Sequence, residues 1–446
     1  MEKTLIIQNA AIITMNEERE VLQNASIAIA GSRIAAVGEN DAVRKQFPDA
    51  EIVDGRGKAV LPGLINCHTH VSLSLQKGIT QAVPEGLYKV MWPVEKALTP
   101  EDIYTGALIG GAEALLGGST SVVDHYFKMD RVAEATTKLG LRGFLGHTIM
   151  SRLGPFTGEK EFQAGLEFVT NWKNRHPLVQ PMLAPHASDT VSTAWLKELR
   201  AEATRQDVKL HLHLAQSARE QAYIHEQHGM GCVEYLADIG FLGPDVLAAH
   251  CIFIEDGELD ILAQTGTHPV YCPMGHSLGG RIMRAWEMYE KGAGVLIGTD
   301  CVTSNNVMDL TGELRIAGGA QRQLLMTKEA MPSMKILEMV TVDAAEAVGM
   351  GRELGALIPG YLADVIMVDM SGLHAAPNYS VVDNLIYTCN GRDVEMVIVN
   401  GETVVRNGTL LTADEAELAA EAEKTGRAMI KRAVENDPEL DWLWKQ

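Results

Sequence analysis

The chain has 446 residues, of which 46% are hydrophobic and 22% charged, and its formal net charge is −20. That length exceeds one small core and fits a large barrel with an accessory domain. The acidic balance argues against a nucleic-acid partner, since phosphate backbones call for Lys and Arg, and no apolar run is long enough to span a bilayer. Six dispersed cysteines without CxxC spacing, and an N-terminus lacking a basic-then-apolar leader, predict a reducing, cytoplasmic setting without a disulfide framework.

Two β-rich runs open the chain, 4–15 and 25–38, the second breaking at Gly31-Ser32 as a hairpin turn. From there strand and helix alternate. Strands are expected at about 64–70, 121–126, 142–150, 179–188, 208–217, 246–251, 267–273 and 293–300, with helices such as 100–117 and 192–206 between them. Eight such units predict an α/β fold, a (β/α)₈ TIM barrel. β-rich runs return at 363–370 and 394–411, with Asn400-Gly401 as a turn, so both termini are expected to build one small composite β-sandwich. The implied boundaries are 1–59 and 363–412 for the sandwich, 60–362 for the barrel and 413–446 for a helical extension. Thr412 and Glu415 read as its capping box, with the helix running to about Val434.

In such a barrel the working residues sit at the C-terminal ends of the strands. The expected ends carry His68, His70, Asp124, His125, His147, His186, His213, Gln216, His250 and Asp300. In "LPGLINCHTH", His68 and His70 are two apart on a strand and so share a face, an imidazole pair suited to Zn²⁺, Fe²⁺, Co²⁺ or Mn²⁺. His213 supplies a third neutral ligand from another strand, and Asp300 in "VLIGTD" an anionic oxygen. One divalent metal, zinc foremost, would lower the pKa of a water from 15.7 towards roughly 7. Asp300 can accept that water's proton and His250 can stabilise developing charge.

The segments "VLPGLINCHTH", "MWPVEKALTPEDIYTGALIGGAEALLGGSTSVVDHYF", "PHAS", "HLHLAQS", "LAAHC", "IGTDCVTSNN" and "GALIPGYLADVIMVD" follow in an order that resembles the amidohydrolase superfamily. The branch is that of the S-adenosylhomocysteine and methylthioadenosine deaminases, the triazine hydrolases and the phenylurea and molinate hydrolases. The resemblance implies metal ligands at His68, His70, His213 and Asp300, a catalytic His250, and a homo-oligomer. The fourth strand ends in "PHASD" without a lysine, which implies one metal rather than a lysine-bridged pair. His186 resembles a substrate-binding histidine, and Glu85 and Trp92 fall in the region that shapes the pocket in relatives.

Three departures bear on function. Gln216 stands where the deaminases carry a glutamate that shuttles protons. Losing a general acid–base costs about 10²–10⁴-fold, most acutely for attack on an aromatic ring carbon, whose ring nitrogen must be protonated. His276 in "CPMGHS" replaces an asparagine and is a candidate substrate contact or proton carrier. His125 in "DHYF" stands where adenosine-type deaminases usually have methionine. Because an acyl carbon already has a polarisable carbonyl, the leading expectation is a mononuclear hydrolase of a small apolar aryl urea, amide or (thio)carbamate. The alternatives are a deaminase or triazine-type hydrolase of a heteroaromatic ring, and a non-catalytic binding protein on the same scaffold.

Overall fold

The structure, a computed structural model, describes residues 4–81 and 83–445. Eight parallel strands form the barrel: β1 Leu64–Thr69, β2 Ser119–Tyr126, β3 Arg142–Ile149, β4 Val179–Pro185, β5 Leu210–Leu214, β6 Val246–His250, β7 His268–Tyr271 and β8 Leu296–Ile297. Helices between them cover the outside. One is Pro100–Leu116, capped by a reciprocal Thr99–Asp102 box with proline in its first turn, and another is Thr193–Gln206, capped by Ser192. Buried on both faces, the strands lack polar alternation, as parallel strands under helices do.

The last strand is two residues long instead of the expected eight. The chain leaves the ladder at Gly298, where a Cβ would lie 2.5 Å from the His68 amide nitrogen, so only glycine permits this approach. Closure between β8 and β1 passes instead through the Asp300 N–H, which donates to the His68 carbonyl at 2.9 Å, and through Asn66, which is bonded to Thr299.

Both termini contribute to one continuous nine-stranded sheet. Lys58–Pro62 from the N-terminal part pairs antiparallel with Val365–Asp369 from the C-terminal part. Its core includes Ile7, Ile12, Ile27, Val60, Val365 and Ile398. The hairpins at Gly31-Ser32 and Asn400-Gly401 form as expected, the latter with both residues at positive φ. At the bottom of the barrel Arg142, on β3 and fully buried, donates from Nε and Nη2 to the two Asp364 oxygens at 2.9 Å, tying barrel to sheet.

The C-terminal helix spans Glu415–Asn436, and its cap differs from the expected one. The Asp414 carboxylate accepts from the Ala416 and Glu417 N–H groups, Thr412 Oγ1 donates to the Leu139 carbonyl, and Glu415 reaches back to the Leu410 N–H. A carboxylate directly before the helix outcompetes a hydroxyl two residues earlier. Met429 and Ala433 pack on Val90, Val94 and Ala97. The helix therefore buttresses the segment after β1 that walls the cavity described next.

Candidate metal centre

The C-terminal mouth of the barrel opens into a cavity of about 770 Å³. Its floor is a cluster of buried imidazoles. His68 and His70 come from β1 and its edge, His125 from β2, His186 from just after β4, His211 and His213 from β5, and His250 from β6. His250 (φ +82°) and Asp300 (φ +62°) adopt left-handed backbone conformations where the chain turns off the strand ends.

The hydrogen-bond pattern specifies which ring nitrogens carry protons. A carbonyl only accepts, so His70 Nδ1–H donates to the His125 carbonyl (2.7 Å) and His213 Nδ1–H donates to the His186 carbonyl (3.1 Å). The Nε2 lone pairs of His70 and His213 then face each other at 3.2 Å, a repulsive arrangement unless a cation sits between them. His68 Nε2 is buried with no hydrogen-bond partner, 3.6 Å from Asp300 Oδ1, and His70 Nε2 is 3.7 Å from the same oxygen. Bonds of ~2.1 Å place neighbouring ligand atoms roughly 3–3.4 Å apart, so the spacings of His70 to His213 and of Asp300 to His68 and His70 are close to those around a shared divalent ion. Burial, then repulsion among the neighbouring imidazoles, holds His68 and His213 well below the ordinary histidine range, which keeps them in the neutral form that metals require.

Outer partners complete the cluster. His68 Nδ1 meets His211 Nε2 at 2.9 Å, so His211 orients a ligand from behind. Two residues before His213 on the same strand, it shares that residue's face, and the period-2 rule applied to "HLHLAQS" would have found it. Asp300 Oδ1 accepts from the Cys301 N–H at 2.7 Å, and His250 Nδ1 lies 3.1 Å from His276 Nε2. His186 Nδ1–H donates to Thr190 Oγ1, whose hydroxyl points at the Ala187 carbonyl, leaving Nε2 free to accept from a ligand.

Gln216 lines the cavity and is braced at its backbone, its N–H donating to Glu220 Oε2 (2.9 Å) and its carbonyl accepting from Arg281 (3.1 Å). Trp92 and Glu85 line the same cavity, but Glu85 is mostly exposed at the mouth and paired with Lys89. Two residues at the strand ends do not join the site. His147 turns outward to Glu161 (2.8 Å), and Asp124 secures the Val71 N–H and Thr69 hydroxyl after β1. One cavity acid went unnoticed in the sequence: Glu95 accepts from the Tyr126 hydroxyl at 2.7 Å, and burial pushes its pKa up to about 7.

A (β/α)₈ barrel with histidines from β1 and β5 and an aspartate after β8 converging on one point is the architecture of a metal-dependent hydrolase. The amidohydrolase family profile matches residues 59–404, and the chain belongs to that family. It is 36% identical over 433 residues to a 5'-deoxyadenosine deaminase of Methanosarcina acetivorans, covering 96% of this chain and 99% of that one. A 5-methylthioadenosine/S-adenosylhomocysteine deaminase of Thermoanaerobacter pseudethanolicus is 32% identical over 432 residues, covering 96% and 100% of the two chains. The solved structure of an adenosine deaminase from Xanthomonas campestris with bound zinc superposes with a TM-score of 0.92 at 28% identity, over 95% of this chain and 98% of that one. The protein is thus a metal-dependent hydrolase acting on non-peptide carbon–nitrogen bonds of small molecules. Among the described residues no helix is long and apolar enough to cross a membrane.

Proposed function

We propose that the chain is a hydrolytic deaminase of an adenosine derivative, working at one divalent metal held by His68, His70, His213 and Asp300. The end-to-end similarity to deaminases of 5'-deoxyadenosine carries this reading. It moves the weight from aryl ureas and carbamates, which Gln216 had favoured, to the heteroaromatic alternative. The cavity volume lies within the range of small-molecule sites, and its wall combines apolar Met91, Trp92 and Ile252 with the acceptors Glu95 and His186.

A divalent metal in this set would acidify a water and so supply the nucleophile at neutral pH. Asp300 accepts the water's proton and returns it to the leaving amine. His250, its ring held by His276, faces the same point and stabilises the developing charge. Gln216 offers an amide N–H to a ring nitrogen but has no proton to release. Both protons of the attacking water therefore pass through Asp300, the first to the ring nitrogen and the second to the leaving amine, while neutral His250, held by His276, only stabilises developing charge.

The test is ammonia release from 5'-deoxyadenosine and adenosine, set beside arylamine release from simple aryl ureas and carbamates. Turnover confined to the adenosine derivatives is expected; turnover confined to ureas or carbamates overturns the reading. The rerouted proton path makes a separate prediction. Gln216→Glu is expected to change kcat on the best substrate by less than about 100-fold, below the scale of a restored acid–base group. A larger gain would mean that the amide is simply a missing acid.

A further inference from the structure

We propose that His125 is an additional ligand of the metal centre, so that four imidazoles and one carboxylate hold the ion. His125 lies near the end of β2 and is 1% exposed. Its Nε2 is buried and has no hydrogen-bond partner. Leaving a buried polar atom unsatisfied is costly, and an apolar side chain at this position would avoid that cost. One ring nitrogen from each of His68, His70, His125 and His213 forms a set in which all members lie within 4.8 Å of one another. The His125 ring centroid is 4.5 Å from that of His213 and 4.8 Å from that of His70.

The other side of the ring is arranged as a ligand's would be. Nδ1 sits 3.1 Å from Thr148 Oγ1 on β3, an outer contact that accepts its proton and leaves the Nε2 lone pair for the ion. The same residue's main-chain carbonyl orients His70, so β2 both holds one ligand and supplies another.

The proposal rests on the metal centre and not on the identity of the substrate, so it is tested without substrate. Zinc-loaded full-length protein, His125→Phe and Thr148→Val would be compared by chelator competition and by zinc X-ray absorption. Wild type is expected to show four imidazole scatterers and His125→Phe three, with zinc affinity falling at least ~10-fold. Thr148→Val is expected to retain four with a smaller loss of affinity, and it serves as the second variant if His125→Phe does not fold. Three imidazoles in the wild type, or a His125→Phe affinity within threefold of wild type, would overturn the proposal whatever substrate is turned over. Failure of ammonia release with four imidazoles intact would count against the deaminase reading alone.

Discussion

The His213→Asn protein is expected to fold, to lose its stoichiometric metal and to show no measurable turnover. The β5 backbone would survive, because the bond from the His213 N–H to the His186 carbonyl and the pairing with β6 do not involve the ring. What is lost is the Nε2 that faces His70 at 3.2 Å, and asparagine is too short to replace it. The magnitude follows from what the metal does. Lowering a water's pKa from 15.7 to about 7 spans roughly 9 units at about 1.4 kcal/mol each, so on the order of 10 kcal/mol of nucleophile activation depends on an occupied site. A missing acid–base group, the deficit that Gln216 would represent, costs only about 3–5 kcal/mol. Metal occupancy therefore dominates, and a chain that keeps its ligands is not made inert by Gln216. Elemental analysis beside an ammonia assay, with circular dichroism as the fold control, reads the result. A variant that retains about one equivalent of metal and its activity would remove His213 from the ligand set.

Much of this centre was legible in the sequence because strands repeat every two residues and a parallel barrel brings all strand ends to one mouth. Those two facts place His68, His70, His213, His250 and Asp300 together without coordinates. They fail where the neighbour, not the period, decides. His147 ends β3 as the others end theirs, yet Glu161 on the following helix captures it outside the cavity. Glu95 sits in a short helix far from any strand end, in a segment whose Val90, Val94 and Ala97 pack against the C-terminal helix. β8 is cut short by Gly298's contact with β1, a constraint that no local pattern records. The substrate class was the least legible. One amide at position 216 favoured acyl chemistry, whereas the similarity to deaminases extends over 96% of the chain.

Asp364→Ala is expected to lower stability by about 3–5 kcal/mol, the cost of leaving a buried charge unpaired, while kcat stays close to wild type. Arg142 is fully buried, and Asp364 accepts two of its N–H groups at 2.9 Å, the third nitrogen donating to the Pro177 carbonyl. Asp364 also accepts the Asn400 N–H at 2.7 Å, and its carbonyl accepts the Gly63 N–H, so one residue fastens the C-terminal strands to the start of the barrel. Alanine strands the guanidinium and the Asn400 N–H at once, while the main-chain bond to the Gly63 N–H remains. The metal centre lies at the other end of the strands, since Arg142 begins β3 and His125 and His70 sit at the mouth. Loss of stability without loss of catalysis is therefore the signature. The double variant Arg142→Met with Asp364→Ala removes the charge as well as its partner. It is expected to recover part of the loss, because apolar replacement of a buried pair is often neutral. Apparent urea midpoints, with kcat measured on the still-folded proteins, test both claims. Equal destabilisation of the single and double variants would show that the strand-fastening bonds of Asp364, and not the unpaired charge, hold the two parts together.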